Sequence, residues 1–374
     1  MQELEAFLRP RVGELVSIFH PFYHSKSRCS IATQYAGGQI ERELRIPTFS
    51  KFGAPSYLRD FLVTLFIAIR LRRTYDLYIG SNPLNALAGL VLQKVRLVRE
   101  TVFYKIDYVP IRFDNRVLNA FYQRVDRMCI EKCGWTWSLA EAMIEEEKRR
   151  HVNVGKKLIV PIGSNFERIE RLPLEKMNSH RLVYVGSLRD GQGIELIIDT
   201  MHRIRKSIPD VELVIIGTGP LEHGLRERVK TLGVEPYVTF MGYVPDHMQV
   251  EGIVTHCGIG LATYEPGSRN FTQFTEPGNV KLYLACGLPV VITRVPEIAR
   301  AIDEMGAGVV IEFDSDDLLK AVTKLAFDEH FYASARSEAI SFASKNSWTR
   351  IFESALHSMS QADGDLEQKV PSPS

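Results

Sequence analysis

Between residues 181 and 325 short apolar runs alternate with helical periodicities, and glycine or proline marks most of the junctions. Arg181-Leu-Val-Tyr-Val185 stops at Gly186. Ile194, Leu196, Ile197, Ile198, Met201, Ile204 and Ile208 then recur at helical spacing until Pro209-Asp210 breaks the pattern. Val211–Ile216 is the next run and ends at Gly217-Thr218-Gly219-Pro220. A helix carrying Leu221, Leu225, Val229 and Leu232 follows and closes at Gly233. Val238–Phe240, Gly258–Ala262, Leu288–Thr293 and Gly308–Ile311 continue the series. Helices are expected near Asp246–His256, over Asn279–Ala285, after Pro296, and from the Asp314-Ser-Asp-Asp317 cap to Leu325. Strands this short and apolar are buried on both faces. Their alternation with helices predicts βαβ units and a parallel sheet.

The first half is less regular but has the same grammar. Strands are expected at Glu14–Phe19, Leu77–Ile79, Thr101–Ile106, Trp135–Ser138 and Leu158–Val160. Helices are expected at Ser56–Arg73, Pro83–Arg96, Arg116–Lys132 and Leu139–His151. Cys29–Gly38 reads as extended, with no evident place in a sheet. Trp135 and Trp137 alternate along a strand, so one of them is expected in the core. The length of 374 residues suits two domains. The expected boundaries are 1–163 and 164–345, with a linker inside 161–179. Residues 346–360 are expected to form a helix packing back on the first domain, and the polar tail 361–374 to be disordered.

Composition narrows the class. With 45% hydrophobic and 24% charged residues the chain is an ordinary globular one, not a collagen, coiled coil or disordered chain. Residues 1–170 hold 26 Lys+Arg against 18 Asp+Glu, an excess of +8. Residues 171–374 hold 20 against 27, an excess of −7. The near-neutral total argues against a nucleic-acid-coating protein, and the basic half suits an anionic surface or acceptor. The five cysteines, Cys29, Cys129, Cys133, Cys257 and Cys286, are odd in number and contain no C-x-x-C pair. That pattern predicts packed thiols in a reducing compartment and no metal site. No basic-then-apolar leader is visible, and the longest apolar run, Phe61–Ile69, falls far short of the ~20 residues that span a bilayer. The expected location is cytoplasmic, with peripheral attachment to the inner face of a membrane as a second expectation. Leu58, Phe61, Leu62, Leu65, Phe66 and Ile69 form a helical stripe ending at Arg70, Arg72 and Arg73. Such a stripe either faces the core or lies on a membrane surface.

Ligands of open α/β sheets bind at the carboxyl ends of the strands. Three glycine-marked segments lie there. Gly186-Ser187-Leu-Arg189-Asp-Gly-Gln192-Gly193 opens into a helix, whose free N–H groups and dipole attract a diphosphate, with Arg189 adding charge. Neither G-x-G-x-x-G nor G-K-[ST] is present. Gly217, Thr218 and Gly219 form the second turn. The third segment is Thr275–Thr293, in which Asn279 and Lys281 sit near a helix start. A lysine gains nothing from that end of a helix, so Lys281 reads either as functional or as a solvated surface residue.

Taken together these runs resemble the donor half of glycosyltransferase family four, retaining enzymes of the B fold. The matching segments are Tyr-Val-Gly-Ser-Leu (184–188) with Gly193, Leu-Val-Ile-Ile-Gly-Thr-Gly-Pro (213–220), Val-Thr-Phe-Met-Gly-Tyr-Val-Pro (238–245) and Tyr-Leu-Ala-Cys-Gly-Leu-Pro-Val-Val (283–291). Pro161-Ile-Gly-Ser-Asn165 resembles the family's interdomain segment. The resemblance implies an α/β chain of two Rossmann-like domains facing a cleft, the glycosyltransferase B fold. The first domain would bind the acceptor and the second a nucleotide-diphosphate sugar, which is a substrate, so no cofactor is implied. Gly186, Ser187, Gln192 and Gly193 would face the diphosphate. Gly217, Thr218, Gly219, Gly242 and Tyr243 would line the nucleoside pocket. Glu276, Pro277, Gly278, Asn279 and Leu282 would cover the sugar and phosphates. Arg189 and Lys281 would supply charge where the family often has Lys-Gly and this chain has Gln192-Gly193. The family's two glutamates fall at Phe274 and Leu282, with Glu276 near the first position but out of register.

In the first half, Asp107 and Tyr108 end a strand, as does His20. Asp107 is the candidate catalytic residue there, and Tyr108 and His20 are acceptor-side candidates. With Arg and Lys to take the developing charge no metal is expected, and no nucleic-acid partner is expected. The expected activity is retaining hexosyl transfer to a glycan, lipid-linked or small-molecule acceptor, in polysaccharide biosynthesis. Two alternatives stand beside it: a non-catalytic nucleotide-sugar or glycan-binding member of the fold, and a nucleotide-sugar 2-epimerase.

Overall fold

The structure is a computed structural model and describes residues 2–21, 29–48, 54–106, 111–153, 155–267 and 277–367. Contacts divide the chain into two compact units. One takes the residues up to Pro161 together with the chain from Phe352 onward; the other is Ile162–Ile351.

The first unit begins with α1 (Gln2–Leu8) and a meander of β1 (Glu14–Phe19), β2 (Cys29–Ala36) and β3 (Gln39–Pro47). These pair antiparallel in the order β1-β2-β3, with Glu14 opposite Ala36 and Cys29 opposite Pro47. The extended segment at Cys29–Gly38 thus finds its place as the central strand. Then come α2 (Ala54–Leu71), β4 (Tyr75–Gly80), α3 (Pro83–Lys94), β5 (Val98–Lys105), α4 (Arg116–Lys132), β6 (Trp135–Ser138), α5 (Glu141–Arg149) and β7 (Lys156–Ile159). The strands β4-β5-β6-β7 form a parallel sheet in chain order. The first half is therefore α/β, but its parallel sheet starts only at Tyr75. Local chemistry sets the helix starts. Asn82 accepts from the Asn85 N–H ahead of Pro83, and Asn115 accepts from the Leu118 N–H.

Both Trp135 and Trp137 are buried, against the expectation of one. All four residues of β6 are buried, so alternation no longer separates inside from outside. Cys129, Cys133, Cys257 and Cys286 are buried free thiols, and burial pushes Cys257 up to about 11.

The second unit carries β8 (Arg181–Val185), α6 (Ile194–Ser207), β9 (Glu212–Ile216), α7 (Glu222–Thr231), β10 (Val238–Gly242), α8 (His247–Val254) and β11 (Ile259–Ala262). It continues through α9 (Gly278–Cys286), β12 (Val290–Thr293), α10 (Ile298–Met305), β13 (Gly308–Ile311), α11 (Ser315–Phe327) and α12 (Glu329–Lys345). The strands run parallel in the order β10-β9-β8-β11-β12-β13. The chain reverses its direction of travel across the sheet between β8 and β11, which makes their carboxyl ends the switch point where such sheets bind ligands. Leu182, Tyr184, Leu213 and Ile215 pack into one apolar cluster, while Val183, Val214 and Ile216 pack into another. Both faces of the sheet are covered.

Helix α13 (Trp348–Glu367) ends the described chain and runs past Gln361, where the sequence predicts the start of a disordered tail. Its Phe352 packs on Phe7 of α1 with ring centroids 5.4 Å apart.

Candidate functional site

Three loops leave the carboxyl ends of β8, β9 and β10, and backbone hydrogen bonds lock them together. The Gly186 N–H donates to Ile216 O (3.0 Å), Leu188 N–H to Thr218 O (3.0 Å), Leu221 N–H to Leu188 O (3.0 Å) and Gly217 N–H to Gly242 O (2.9 Å). Glu265, just after β11, donates its N–H to Gly191 O at 3.2 Å. The glycines are explained by these contacts. Gly217 has φ +144°, and a Cβ there would lie 1.8 Å from Gly186 O. Gly193 has φ +69°, and its Cβ would lie 1.5 Å from Thr263 O. A Cβ on Gly219 would lie 2.2 Å from Leu188 O. At each of the three the missing side chain admits a neighbouring backbone carbonyl.

What the loops then present outward is polar. Ser187, Arg189 and Thr218 are exposed, Gln192 is half-buried, and Tyr243 is 74% exposed. Arg189 makes no ion pair among the described residues, so its guanidinium is available to an anion.

Helix α9 is pinned to this edge by Asn279. Its Nδ2 donates to Val185 O (2.9 Å), and its Oδ1 accepts from the Tyr264 hydroxyl (2.7 Å) and the Val280 N–H (2.9 Å). Beside it the Val185 N–H donates to the Tyr283 hydroxyl at 2.6 Å. Burial pushes the Tyr264 and Tyr283 phenols well up, so both keep their protons and remain donors. Asn279 thus joins β8, β11 and α9, with its carbonyl oxygen fully engaged. Gly278 is exposed at the first turn of α9, Pro277 is buried, and Leu282 is half-buried.

Lys281 is not the solvated surface lysine that one reading of the sequence allows. It is 3% exposed, with its ammonium 4.7 Å from the centre of the Phe342 ring of α12, a cation–π contact. Helix α12, which no motif signals, supplies that ring.

In the first unit, His20 has both ring nitrogens engaged. Nδ1 lies 2.9 Å from the Ser30 hydroxyl and Nε2 lies 2.9 Å from the Thr64 hydroxyl. Burial lowers its pKa, opposed by Asp60 at 3.6 Å. The ring holds β1, β2 and α2 together. Asp107, Tyr108 and Glu276 lie outside the described residues.

Sequence reasoning missed a buried ionic group at the end of β5. Lys105 Nζ lies 2.8 Å from Glu147 Oε1 and 3.5 Å from Asp126 Oδ2, and Arg150 Nη1 lies 3.9 Å from Asp126. Only the alternation of the β5 run, which puts Lys105 on the same side as Phe103, could have flagged it. Among the described residues, no three His, Cys, Asp or Glu gather as a metal-holding group.

Residues 179–328, which carry this edge, match the family model described as Glycosyl transferases group 1. The whole fold is that of the B-type glycosyltransferases. Sucrose-phosphate synthase from Thermosynechococcus elongatus superposes with a TM-score of 0.63 at 17% identity, over 87% of this chain and 84% of that one. Anabaena HepE in complex with UDP superposes with 0.64 at 16%, over 84% and 86%. Among curated proteins, a GDP-mannose-dependent alpha-(1-6)-phosphatidylinositol monomannoside mannosyltransferase of Mycolicibacterium smegmatis is 26% identical over 39% of this chain and 38% of its own length. A chitobiosyldiphosphodolichol beta-mannosyltransferase of Debaryomyces hansenii is 20% identical over 72% of this chain and 63% of its own. The chain therefore spans less than two thirds of either curated relative.

Proposed function

We propose that this protein transfers a hexose from a nucleotide-diphosphate sugar to a glycan, lipid-linked or small-molecule acceptor, with retention at the anomeric carbon. The observation that carries the reading is the locked edge of β8, β9 and β10, inside the matched domain, presenting Arg189 beside the start of α6. Charge develops on the diphosphate as the glycosyl bond breaks, and a fixed guanidinium and helix N–H groups stabilise it. Ser187, Gln192 and Thr218 add hydrogen bonds, and Tyr243 offers a flat face to a nucleobase. Asn279 acts as a positioning residue, holding the first turn of α9 against β8.

Both curated relatives are named as mannosyltransferases, one for a phosphatidylinositol-based substrate and one for a dolichol-based one. They make mannose the first sugar and a lipid-linked glycan the first acceptor to test. One of those names specifies an alpha linkage and the other a beta linkage, so retention rests on the four motifs alone. The anomer of the product, read by NMR, decides it; an inverted product removes that clause.

Arg189→Ala is expected to weaken binding of UDP or GDP tenfold to a hundredfold, from a charge-assisted hydrogen bond of about 1.5–3 kcal/mol. Calorimetric titration checks this, and unchanged affinity for both nucleotides would move the phosphate site elsewhere. Transfer is also expected to persist in EDTA, since the proposal gives the charge to Arg189 and N–H groups. Loss of turnover restored by Mg²⁺ or Mn²⁺ would overturn that part. The proposal places the enzyme in the cytoplasm.

A second reading, a nucleotide-sugar or glycan binder without turnover, is favoured by one observation. Leu282 and Phe274 occupy the positions of the family's glutamates, and Leu282 is half-buried. Hydrolysis of the donor in the absence of acceptor separates the two, because a binder releases no free sugar.

A further inference from the structure

Helix α2 does not resolve as a core-facing stripe. Its Ile67 and Ala68 are buried, but Leu58, Leu62, Phe66 and Ile69 are each 54–57% exposed. Their spacing of three and four residues places them on one face of the helix. A second group of exposed apolar side chains lies at the start of α4: Ile111 at 73%, Val117 at 80% and Phe121 at 55%. The two groups share a junction. Tyr57 meets Phe113 edge-on at 5.6 Å and Tyr122 at 6.2 Å, and Arg112 donates to the Tyr57 hydroxyl at 2.8 Å. The first turns of α2 and α4 are thereby held side by side. Large apolar side chains exposed in such numbers on neighbouring helices mark an interaction surface rather than scattered surface residues.

The charges around this surface are predominantly positive, with Asp114 as the exposed acid before α4. Arg70 and Arg72 on or just after α2, and Arg116 and Arg124 on α4, are exposed, and none pairs with a carboxylate among the described residues. The acids of the same two helices are already neutralised. Asp60 is held by Arg59 at 2.6 Å, Glu131 by Arg127 at 2.9 Å, and Asp126 is buried beside Lys105. An apolar face bordered by unpaired arginines complements the interface of an anionic bilayer, where side chains enter the acyl boundary and guanidinium groups meet phosphates. No helix among the described residues is long and apolar enough to cross a membrane.

We propose that the face built from α2 and the start of α4 docks the first unit onto an anionic lipid surface, with α2 lying in the plane of the interface. The proposal does not depend on the transfer reaction, and a failure of either leaves the other standing.

The test is co-sedimentation of the full chain with vesicles in low-salt buffer, phosphatidylcholine alone against equal parts phosphatidylcholine and phosphatidylglycerol. The protein is expected to pellet with the mixed vesicles and to stay in the supernatant with neutral ones. Arg70→Gln with Arg72→Gln is expected to lower the partition coefficient about thirty-fold, the equivalent of ~2 kcal/mol. Leu62→Asp with Phe66→Asp is expected to lower it about a hundredfold or more. All four side chains are exposed, and an unchanged thermal transition establishes that each variant is folded. Protein that stays in the supernatant with the mixed vesicles overturns the proposal, as does equal binding to neutral ones. A concentration-dependent dimer that Leu62→Asp abolishes, without vesicle binding, also overturns it and assigns the face to a second copy.

Discussion

Replacing Lys105 with methionine is expected to destabilise the first unit by about 3–5 kcal/mol, because it leaves two buried carboxylates without their principal cation. Lys105 and Glu147 side chains are 2% and 1% exposed, and Asp126 is 6% exposed. Methionine matches the lysine stem closely in volume, so packing changes little and the charge accounts for most of the loss. The companion experiment replaces all three together, with Asp126→Leu and Glu147→Leu added to Lys105→Met. Apolar side chains of similar volume often substitute for a whole buried ionic group at no net cost, so the triple variant is expected to recover most of the stability. Urea midpoints decide between the outcomes. A single variant within 0.5 kcal/mol of the parent, by the usual measure of an inert surface change, would mean that Arg150 alone satisfies both acids.

Gly193→Ala is expected to cost about 2–4 kcal/mol, combining left-handed strain of roughly 1 kcal/mol with overpacking of 1–3 kcal/mol. Its φ is +69°, and the added methyl would meet Thr263 O at 1.5 Å and Phe313 at 3.1 Å. Thr263 also donates its hydroxyl to Gly193 O at 2.8 Å, so the strain is delivered where β11 meets the start of α6. Nucleotide affinity is expected to fall with stability, because the N–H groups at that helix start move together. Gly278→Ala serves as the comparison. It lies in the first turn of α9, and a methyl there meets nothing within 4 Å. Its stability is expected to stay within about 0.5 kcal/mol of the parent. Equal melting temperatures for Gly193→Ala and the parent would show that the loop relaxes freely and that the close approach to Thr263 is unimportant.

These experiments bear on different kinds of information. The sheet of the second unit was legible because β8, β9, β11 and β12 are buried on both faces, and each such strand must be written as a continuous apolar run. Their helices were legible from periodicity, and several helix starts from capping residues such as Asp314, which accepts from Asp316 N–H at 2.8 Å. The three glycine turns could be placed at the carboxyl edge of the sheet from sequence alone, since topology fixes which strand ends face the same way. Strand β3 could not be read so. Gln39–Pro47 is mostly exposed and polar, and pairing with β2 rather than any pattern of its own makes it a strand.

The amino-acid sequence by itself determined the strand–helix alternation, the parallel sheet of the second unit, and the glycine-marked turns at the carboxyl ends of its strands. Each follows from short-range rules of burial, periodicity and backbone freedom that adjacent residues are enough to satisfy. The tertiary structure alone decided what the side chains at those positions do. Lys281 became a buried cation because α12 brings Phe342 over it. His20 became a fastener because Ser30 and Thr64, distant in the chain, present hydroxyls to both of its nitrogens. Gly193 and Gly217 turned out to admit neighbouring backbone, and Leu58, Leu62, Phe66 and Ile69 turned outward although their spacing also suits a core. In every case the deciding partner lies many residues away, and its proximity is set by packing of the whole unit, which no local pattern encodes.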